Sequence, residues 1–426
     1  MANTYLTRTP SSAGNRRTWT WSSWIKRSTT GSEYVYSWGY NEHNVDGFNF
    51  DSNDKINVWG YQSGTNYSLL TNRRFRDVNG WYHIVIKYDS TQATASNRLK
   101  IYVNGVQETS FSPETYPNQN HEALVNNTIA NRIGQFGWNN DDYFSGVISH
   151  IHFIDGTAYE PSTFGSTDST TGEWQINTSP TISSYGTNGF FLLKDGNTIT
   201  DQSPNSNNYT LAGGTLTKTE DNPSNVFCTW NPLANQGSVN LHNGNTRAVF
   251  TASGWNFVYS TLGASSGKYY YEVKVGNGGS DSSIGIMEMD TATNEQGTAD
   301  NVGKNTESVG YASNGSIKKN NVTVQTGLGS ISNGEILGIA MDLDNNTVQF
   351  YLQGVARGTA VSIASDKTYA FATSGYGNAE HHTNFGNGYF ETTAVASAGT
   401  NASGNGIFEY NVPTGYTALS TKGLNL

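Results

Sequence analysis

The clearest pattern of hydrophobic and polar positions lies in residues 334–355, GEILGIAMDLDNNTVQFYLQGV. Apolar residues occupy alternate positions over 337–343 and again over 348–352, and a polar Asp-Asn-Asn step separates the two runs. Successive side chains of a strand point to opposite faces of its sheet, so this alternation predicts a β-hairpin with one buried face. Asp342 and Asp344 are therefore predicted to be turn residues rather than a metal pair.

Residues 81–106, WYHIVIKYDSTQATASNRLKIYVNGV, repeat this design. Two alternating runs flank a longer polar turn, and the second run again ends in an amide-Gly-Val step. Two hairpins of one design indicate two related β-modules. Turn residues separate further strand candidates in the first module, which favours an antiparallel sandwich. These candidates are Ser32–Trp38, Gly47–Phe50, Lys55–Tyr61, Arg132–Phe136 and Gly146–Phe153.

The segment between the two modules is polar and rich in Pro and Gly, with one short apolar strand predicted at Gly189–Leu193. A loop of this length is uncommon in a compact domain unless it packs on that domain or has a function. We therefore expect it to be a connector that lies against the first sandwich. The predicted division of the chain is an N-terminal arm (1–17), a first sandwich (18–160), the connector (161–224), a second sandwich (225–390) and a C-terminal tail segment (391–426).

The first module contains, in order, WTWSSWIKR, GWYHIVIKYD, LKIYVNGV, NRIGQF and YFSGVISHIHFIDG. This order resembles a laminin-G-like, concanavalin A-like jelly roll. The run through IDGTAYEPSTFG, TTGEW and YGTNGFFLL resembles structural proteins of tailed phages and marine viruses. Relatives usually have another short strand before LTRTPSSAGNR, so either a neighbouring subunit supplies that edge strand or the sheet is shorter here.

The second module resembles a SPRY domain, which is a further concanavalin A-like sandwich. The resemblance rests on GKYYYEV, IGI, Gly310-Tyr311 and the 334–354 hairpin, which follow one another in the expected order. The closing phrase over 406–426, GIFEYNVPTGYTALSTKGLNL, resembles the ends of the same viral proteins. Together these resemblances imply a virion protein, synthesised in the host cytoplasm and located in the particle.

Composition agrees with an all-β chain of two concanavalin A-like antiparallel β-sandwich (jelly-roll) domains. The 426 residues suffice for two cores, and 47 Gly, 25 Tyr and 10 Trp with only 14% charged residues indicate a chain rich in turns and aromatic side chains. The net charge of -10 argues against nucleic acid as a partner, since nucleic-acid binding needs a concentrated basic surface.

The single cysteine, Cys228, rules out an intrachain disulfide framework. The N-terminal sequence MANTYLTRTP lacks a signal pattern, and no apolar run approaches the about 18 residues that a membrane helix needs. We therefore expect no membrane insertion, and we expect that the protein reaches any external site by assembly or lysis.

Catalysis deserves a test because this fold also hosts glycoside hydrolases. Retaining enzymes of that class need two carboxyl groups about 5 Å apart. Glu288 and Asp290 share a Glu-x-Asp pattern, but the next candidate, Glu295, lies too far along the chain for the glucanase spacing and falls in a polar loop. We assign no catalytic residue and expect that the protein is not an enzyme.

Metal binding is weakly indicated. His381-His382 lies in a predicted loop without further ligands at zinc spacing, and His150 and His152 alternate on a strand, where a polar or interface face is the simpler interpretation. Oxygen-rich segments suit calcium better. The calcium candidates are Asp141 with Asp142, and Asp201 with Asn205 and Asn207.

Recognition of a ligand remains the best-supported role. Sugars are held by an aromatic face together with amide, carboxylate and backbone groups on loops, although aromatic residues at strand ends also close a core. The predicted ligand-binding residues share such a loop context: Trp138, Asn140, Asp142, Tyr143, Trp255, Asn256, Tyr376 and Asn378.

Three hypotheses for the function stay open. The first is a tail fibre, appendage or surface fibre of a phage, a homotrimer that contacts other virion proteins and adsorbs to host-surface glycan through several weak sites. The second is a capsid or tail decoration protein without a receptor role. The third is a polysaccharide-degrading glycoside hydrolase.

Overall fold

The computed structural model describes residues 3–41, 43–137, 142–194, 198–234, 239–277, 282–290 and 301–425. The chain divides into two compact units, Met1–Lys218 and Thr219–Leu426. Each unit is an antiparallel β-sandwich, so the predicted all-β fold with two sandwiches is confirmed.

The first unit has short 3-10 helices at Ala95–Asn97 and Pro161–Thr163. Its strands are β1 (Tyr5–Arg8), β2 (Thr18–Arg27), β3 (Glu33–Asn41), β4 (Asn44–Phe50), β5 (Ile56–Gln62), β6 (Thr65–Thr71), β7 (Tyr82–Asp89), β8 (Leu99–Val103), β9 (Val106–Gln107), β10 (Phe111–Thr115), β11 (Asn131–Ile133), β12 (Gly146–Asp155), β13 (Gly165–Thr167), β14 (Trp174–Ile176), β15 (Phe190–Leu192) and β16 (Thr210–Ala212).

Two sheets enclose the core of this unit. Sheet I has the order β10-β6-β5-β4-β3-β11-β1-β16, and sheet II has the order β15-β12-β2-β7-β8-β9. Aromatic side chains dominate the interface between them, and Trp21 of sheet II stacks on Tyr36 of sheet I with ring centroids 4.1 Å apart. The outer face of each sheet is the one turned away from this core.

The N-terminal arm that we predicted is part of this sandwich. β1 lies inside sheet I, between β11 and β16, and Leu6 is buried in the core. The strand is only four residues long, and its partner β16 comes from the connector about 200 residues further along the chain. Where we expected either a strand from a neighbouring subunit or a shorter sheet, β16 of the same chain pairs with β1.

The connector covers the outer face of sheet II. Phe164 and Tyr185 pack against Val85 and Tyr102 in a second buried cluster, and β15 extends sheet II beside β12. Trp174 reaches the same face from β14. This outer face is therefore buried by the chain.

The second unit has 3-10 helices at Pro232–Ala234 and Gly423–Asn425. Its strands are β17 (Val239–His242), β18 (Arg247–Phe250), β19 (Asn256–Ala264), β20 (Lys268–Asn277), β21 (Ser282–Glu288), β22 (Ser308–Ala312), β23 (Ile317–Lys319), β24 (Val322–Gln325), β25 (Ile336–Asp342), β26 (Thr347–Leu352), β27 (Val355–Ser362), β28 (Tyr369–Gly375), β29 (Glu380–Asn384), β30 (Tyr389–Phe390), β31 (Thr393–Ala394) and β32 (Thr417–Ala418).

Sheet III has the order β17-β18-β29-β20-β25-β26-β27, and β32 adds to it parallel to β20. Sheet IV has the order β19-β28-β21-β22-β23-β24. Tyr271 of sheet III stacks on Phe371 of sheet IV in the core between them, with centroids 4.0 Å apart. On the outer face of sheet IV, Ala234 and Val302 cover Phe257.

The C-terminal tail segment covers the outer face of sheet III. Phe408 packs edge-on against Tyr270, with centroids 5.1 Å apart, in a buried cluster on that face. Beside it, Glu272 accepts hydrogen bonds from the backbone N–H groups of Glu409 (2.8 Å) and Tyr410 (2.9 Å). Burial raises the pKa of Glu272 to about 7 despite these donors.

Both predicted hairpins are confirmed. β25 pairs with β26, and β7 pairs with β8, in antiparallel register. Asp344 lies in the turn as predicted, and its Oδ1 accepts from the N–H of Gly267 (2.7 Å), whereas Asp342 is the last residue of β25, and its Oδ1 accepts from the N–H of Asn345 in the turn (2.9 Å).

The amide-Gly steps that end the two hairpins are two-residue turns leading into a third strand. Asn104-Gly105 and Gln353-Gly354 have positive φ at both positions, as a type I′ turn requires. A Cβ at Gly105 would lie 2.4 Å from the ring of Trp174, and one at Gly354 would lie 2.5 Å from that of Tyr410. In each unit an aromatic residue of the covering segment thus rests on the glycine of the turn.

Within the described ranges, no helix has the length and apolar character needed to cross a membrane.

Candidate functional site

The predicted binding loop of the first unit is described only at its end. Asp142 is exposed and its backbone carbonyl accepts from the N–H of Tyr34 (3.2 Å) at the start of β3. The hydroxyl of the next residue, Tyr143, accepts from Gln135 Nε2 (2.7 Å). The other predicted residues of this loop lie outside the described residues: Trp138, Asn140 and Asp141.

In the second unit, the predicted aromatic residues come together. Trp255 precedes β19 and Tyr376 follows β28, and these two strands are neighbours in sheet IV. The rings meet edge to face with centroids 5.0 Å apart, and both are partly exposed. Residues about 120 positions apart thus form one aromatic pair at one end of the SPRY-like sandwich.

Backbone hydrogen bonds fix the loop that carries this pair. The N–H of Gly377 donates to the carbonyl of Ala252 (2.9 Å), and the N–H of Asn378 donates to that of Phe250 (2.7 Å). Gly377 and Asn378 both have positive φ, which Gly and Asn tolerate best. The loop is therefore held in one conformation by the strands beneath it.

The amide residues of this site differ in their surroundings. Asn256 Nδ2 donates to the carbonyl of Gly254 (3.0 Å), so part of its capacity is used locally. Asn378 is exposed, and its backbone carbonyl accepts from Asn277 Nδ2 (3.4 Å), whose residue is exposed as well. Aromatic faces and amide groups are thus placed side by side at the surface, as contact with a sugar requires.

The carboxylate of the calcium candidate Asp201 accepts four hydrogen bonds that hold its own loop. Its Oδ1 accepts from the N–H groups of Phe191 (2.8 Å) and Ser203 (2.9 Å), and its Oδ2 accepts from Ser203 Oγ (2.8 Å) and the N–H of Asn207 (2.7 Å). A carboxylate has about four lone-pair sites, so these bonds use its whole acceptor capacity. The Nδ2 groups of Asn205 and Asn207 donate to backbone carbonyls, and Oδ1 of Asn207 accepts from Arg8.

The two adjacent histidines lie on strand β29, not in a loop as we predicted. Because side chains alternate along a strand, His381 points into the core and His382 points outward. The ring of His381 lies 2.5 Å from Thr373 Oγ1 and 2.7 Å from Ser282 Oγ, and burial lowers its pKa to about 3. His381 is thus a buried, hydrogen-bonded core residue.

His382 belongs to a charged group on the outer face of sheet III. Its Nε2 lies 2.5 Å from Glu380 Oε1, and its Nδ1 lies 3.6 Å from Glu391 Oε2. The guanidinium of Arg247 contacts both carboxylates, at 2.6 and 3.1 Å. A Glu-His-Glu set suits a divalent metal, but here the arginine already supplies the positive charge and the two ring nitrogens face different carboxylates. We interpret the group as a structural network of ion pairs.

The two carboxyl groups of the Glu-x-Asp pattern, which we considered for catalysis and did not assign, do not lie along one strand. β21 ends at Glu288, which is buried and lies 3.8 Å from Lys367 Nζ. Asp290 follows beyond the strand end and is exposed, so the alternation that would have aligned the two carboxyl groups stops before it. Glu295 lies outside the described residues.

A buried Ser-His contact in the first unit was not predicted. His83 Nε2 lies 2.9 Å from Ser22 Oγ, and the indole Nε1 of Trp174 lies 2.9 Å from His83 Nδ1. The indole nitrogen can only donate, so Nδ1 accepts and Nε2 carries the proton that it gives to Ser22. Burial lowers the pKa of His83 to about 3. This tautomer cannot take a proton from the serine, and the pair fastens the connector.

Sequence reasoning also missed an aromatic group on the outer face of sheet I. Trp59 is partly exposed there and contacts Tyr34 and Phe136, with centroid distances of 6.5 and 6.1 Å. The alternation in KINVWGY carried the signal, since Asn57, Trp59 and Tyr61 occupy the positions opposite to the buried Ile56 and Val58. The outward positions of β4, β5 and β6, called the Trp59 face below, are Val45, Gly47, Asn49, Asn57, Trp59, Tyr61, Ser68 and Leu70.

Comparisons with known proteins agree with this architecture. Residues 2–162 match the family model of the concanavalin A-like lectin/glucanases superfamily, and residues 268–388 match that of the SPRY domain. The chain therefore carries a concanavalin A-like domain followed by a SPRY domain. The SPRY match omits the flanks that supply β17 to β19 and the covering tail segment.

Among solved structures, the chain is similar to the SPRY domain of human HERC1, with 15% identity, a TM-score of 0.31, and coverage of 36% of this chain and 96% of that one. It is similar to a heptameric SAP-like pentraxin from Limulus polyphemus, with 16% identity, a TM-score of 0.29, and coverage of 37% and 72%. The TRIM65 PSpry domain gives 14% identity, a TM-score of 0.30, and coverage of 36% and 87%. The comparison with curated proteins gave no match.

Proposed function

We propose that the protein is a structural protein of a phage virion, a tail fibre, appendage or surface fibre, that binds carbohydrate on the host surface. The observation that carries the binding role is the Trp255–Tyr376 pair, which two neighbouring strands of sheet IV hold at the surface beside exposed amide side chains. The assignment to a virion follows the resemblance of the ordered motifs and of the closing phrase over 406–426.

The proposed binding mode needs no catalytic group. An aromatic ring stacks on the apolar face of a sugar, while amide and backbone groups bond to its hydroxyls. A rigid sandwich beneath the loops lowers the ordering cost of binding. Each contact is weak, and copies linked in a homotrimer docked to other virion proteins would gain avidity without any new contact.

Changing Trp255 to Ala tests this function on the purified chain. Binding to host cells and to a glycan array should fall about tenfold or more, since central aromatic anchors dominate small interfaces. Val322→Ala is the matched control, because Val322 is an exposed apolar residue of the same unit that lies on edge strand β24, and it should leave binding unchanged. Hydrogen exchange of both variants verifies the fold.

The same samples separate the alternatives. Wild-type protein that binds no glycan but attaches to particles lacking it would identify a decoration protein. Release of reducing sugar from host polysaccharide, abolished by Glu288→Gln, would identify a glycoside hydrolase. The proposal is supported if Trp255→Ala loses glycan binding and the control Val322→Ala keeps it.

A further inference from the structure

The Trp59 face presents an aromatic side chain in a fixed orientation. Gly47 lies opposite Trp59 across β4 and β5. A Cβ at Gly47 would lie 3.1 Å from Trp59 Nε1 and 3.2 Å from the ring of Tyr34, so the glycine allows the indole to lie across the neighbouring strand. Trp59 Nε1 donates to Asn49 Oδ1 (3.0 Å), which fixes the ring at that place.

Polar groups without formal charge surround this ring. Ser68 lies opposite Trp59 on β6, and its hydroxyl donates to Asn57 Oδ1 (3.1 Å). This bond orients the Asn57 amide and leaves its N–H groups and the serine oxygen lone pairs available. Tyr61 follows two positions after Trp59, so the two aromatic side chains lie about 7 Å apart on one side of the strand.

The charge of the face defines the ligand that suits it. Every outward position of β4, β5 and β6 whose side chain the structure describes is uncharged, in a protein of net charge -10. A neutral ligand can therefore approach without desolvating a charge, whereas an ionic partner would find no counter-charge there. Burial raises the pKa of Tyr34 and the charge of Asp142 adds to this shift, so Asp142 marks the acidic border of the face.

The other outer faces are closed by the chain in the described residues. The connector covers sheet II, the tail segment covers sheet III, and the residues around Ala234 and Val302 cover sheet IV. On sheet I, Tyr34, Val45 and Phe136 form a small buried cluster as well, and Trp59 lies at its border, partly exposed with Tyr61, Asn57 and Ser68. A partly exposed aromatic ring beside oriented amide groups has the chemistry of a ligand platform.

We propose that the Trp59 face is a second carbohydrate-binding site, which takes a neutral glycan whose successive sugar rings lie along Trp59 and Tyr61. The site deepens the proposed function, because it rests on carbohydrate recognition by the same chain. Asn57 and Ser68 bond to sugar hydroxyls. With Trp255 and Tyr376 in the other unit, one chain then carries two glycan sites, each of which can bind on its own.

Binding of purified wild-type chain to a panel of neutral polysaccharides (dextran, laminarin and galactomannan), with acidic alginate beside them, tests the site by affinity electrophoresis and calorimetry. We expect at least one neutral polysaccharide to bind and alginate not to compete at this site. In a Trp255→Ala background, adding Trp59→Ala should remove the remaining affinity, and Trp59→Ala alone should lower it about tenfold. Tyr40→Ala is the matched control, since Tyr40 is an exposed aromatic residue at the tip of the β3–β4 hairpin.

Two gentler variants protect the test against misfolding. Gly47→Ala should displace the indole and weaken binding, and Tyr61→Ala removes only a partly exposed ring. If Trp255→Ala abolishes glycan binding and the variants of the Trp59 face leave binding at the wild-type level, the proposal of a second site is wrong and the proposed function stands. If only the Trp59-face variants lose binding, the second site holds and the assignment to Trp255 fails.

Two further results overturn the proposal. Binding of none of the neutral polysaccharides contradicts the second site. If the sedimentation coefficient of the Trp59→Ala variant differs from that of the wild type, the face is a contact between copies of this chain and not a glycan site.

Discussion

The outer faces of sheet I and sheet III differ in how completely the chain covers their aromatic residues. On sheet III, the tail segment buries Tyr270 under Phe408 and ties itself to Glu272 through two backbone N–H groups. On sheet I, Trp59 lies across Gly47 and stays partly exposed among uncharged polar groups. The first arrangement encloses its aromatic residues, and the second leaves one aromatic ring partly exposed at the border of a small buried cluster.

The two hairpins are covered in a similar way. Trp174 rests on Gly105 in one unit and Tyr410 rests on Gly354 in the other, and both aromatic residues lie outside the ranges that match the family models. Covers of this kind are structural, and their removal should affect stability. Residues of the Trp59 face should affect binding more than stability, which gives three ways to test the contrast.

The largest effect is expected from the cover of sheet III. Phe408→Ala should destabilise the second unit by about 3–5 kcal/mol, because it leaves a cavity over Tyr270. Trp59→Ala is the matched change on the uncovered face and should cost the first unit about 1–2 kcal/mol, since part of its surface is already in water. Urea unfolding followed by hydrogen exchange of peptides from each unit measures both. Equal losses would contradict the distinction between the two faces.

The next effect is the pH dependence of the Glu272 tie. The folded pKa of about 7 lies above the ordinary value of 4.5, so this group's stabilising contribution is present below pH 4.5 and is lost as the pH rises through 7. The difference in unfolding free energy between wild type and Glu272→Gln should therefore shift by on the order of 3 kcal/mol between pH 4 and pH 8.

Taking the difference between the two proteins cancels His381, whose pKa of about 3 acts in the opposite sense. The first unit is the internal control, because its buried carboxyls Glu33 and Asp46, each with a pKa raised by burial to about 7, are unchanged in the variant. A wild-type-minus-variant difference that does not vary with pH would contradict a pKa of Glu272 raised by burial.

The smallest effect concerns one hydrogen bond under the connector. Trp174→Phe keeps an aromatic ring but removes the N–H that donates to buried His83 Nδ1, which should cost about 1–3 kcal/mol. Trp59→Phe removes the corresponding indole bond to Asn49 at a partly exposed position and should cost less than about 0.5 kcal/mol. Thermal unfolding of the two variants against wild type compares them, and a larger loss in the Trp59 variant would reverse the assignment of covered and uncovered faces.

Local patterns predicted much of this architecture. The alternation over 334–355 and 81–106 located both hairpins, because side-chain period and turn residues act over a few positions. The loop context of Trp255 and Tyr376 selected residues that the structure then brings to a centroid distance of 5.0 Å. The two rings meet because β19 pairs with β28, although the two residues are far apart in the sequence.

Long-range pairing accounts for what was missed. Tyr5–Arg8 looks like an arm because a four-residue strand has little pattern of its own and is completed by β16 from the connector. Asp201 has the sequence context of a calcium ligand, and only the structure shows the four hydrogen bonds that its carboxylate accepts. The alternation showed that Trp59 points outward, but how far each outer face is covered depends on where the other segments of the chain pack.

Oxidative footprinting of the wild-type chain with and without a bound neutral polysaccharide, read residue by residue by mass spectrometry, tests the central claim most directly. The account predicts that the glycan protects Trp255 and Tyr376, together with Trp59 and Tyr61, while the labelling of Trp174 and Phe408, which belong to the covering segments, does not change. Protection confined to other surfaces, or labelling that is the same with and without bound polysaccharide, would contradict it.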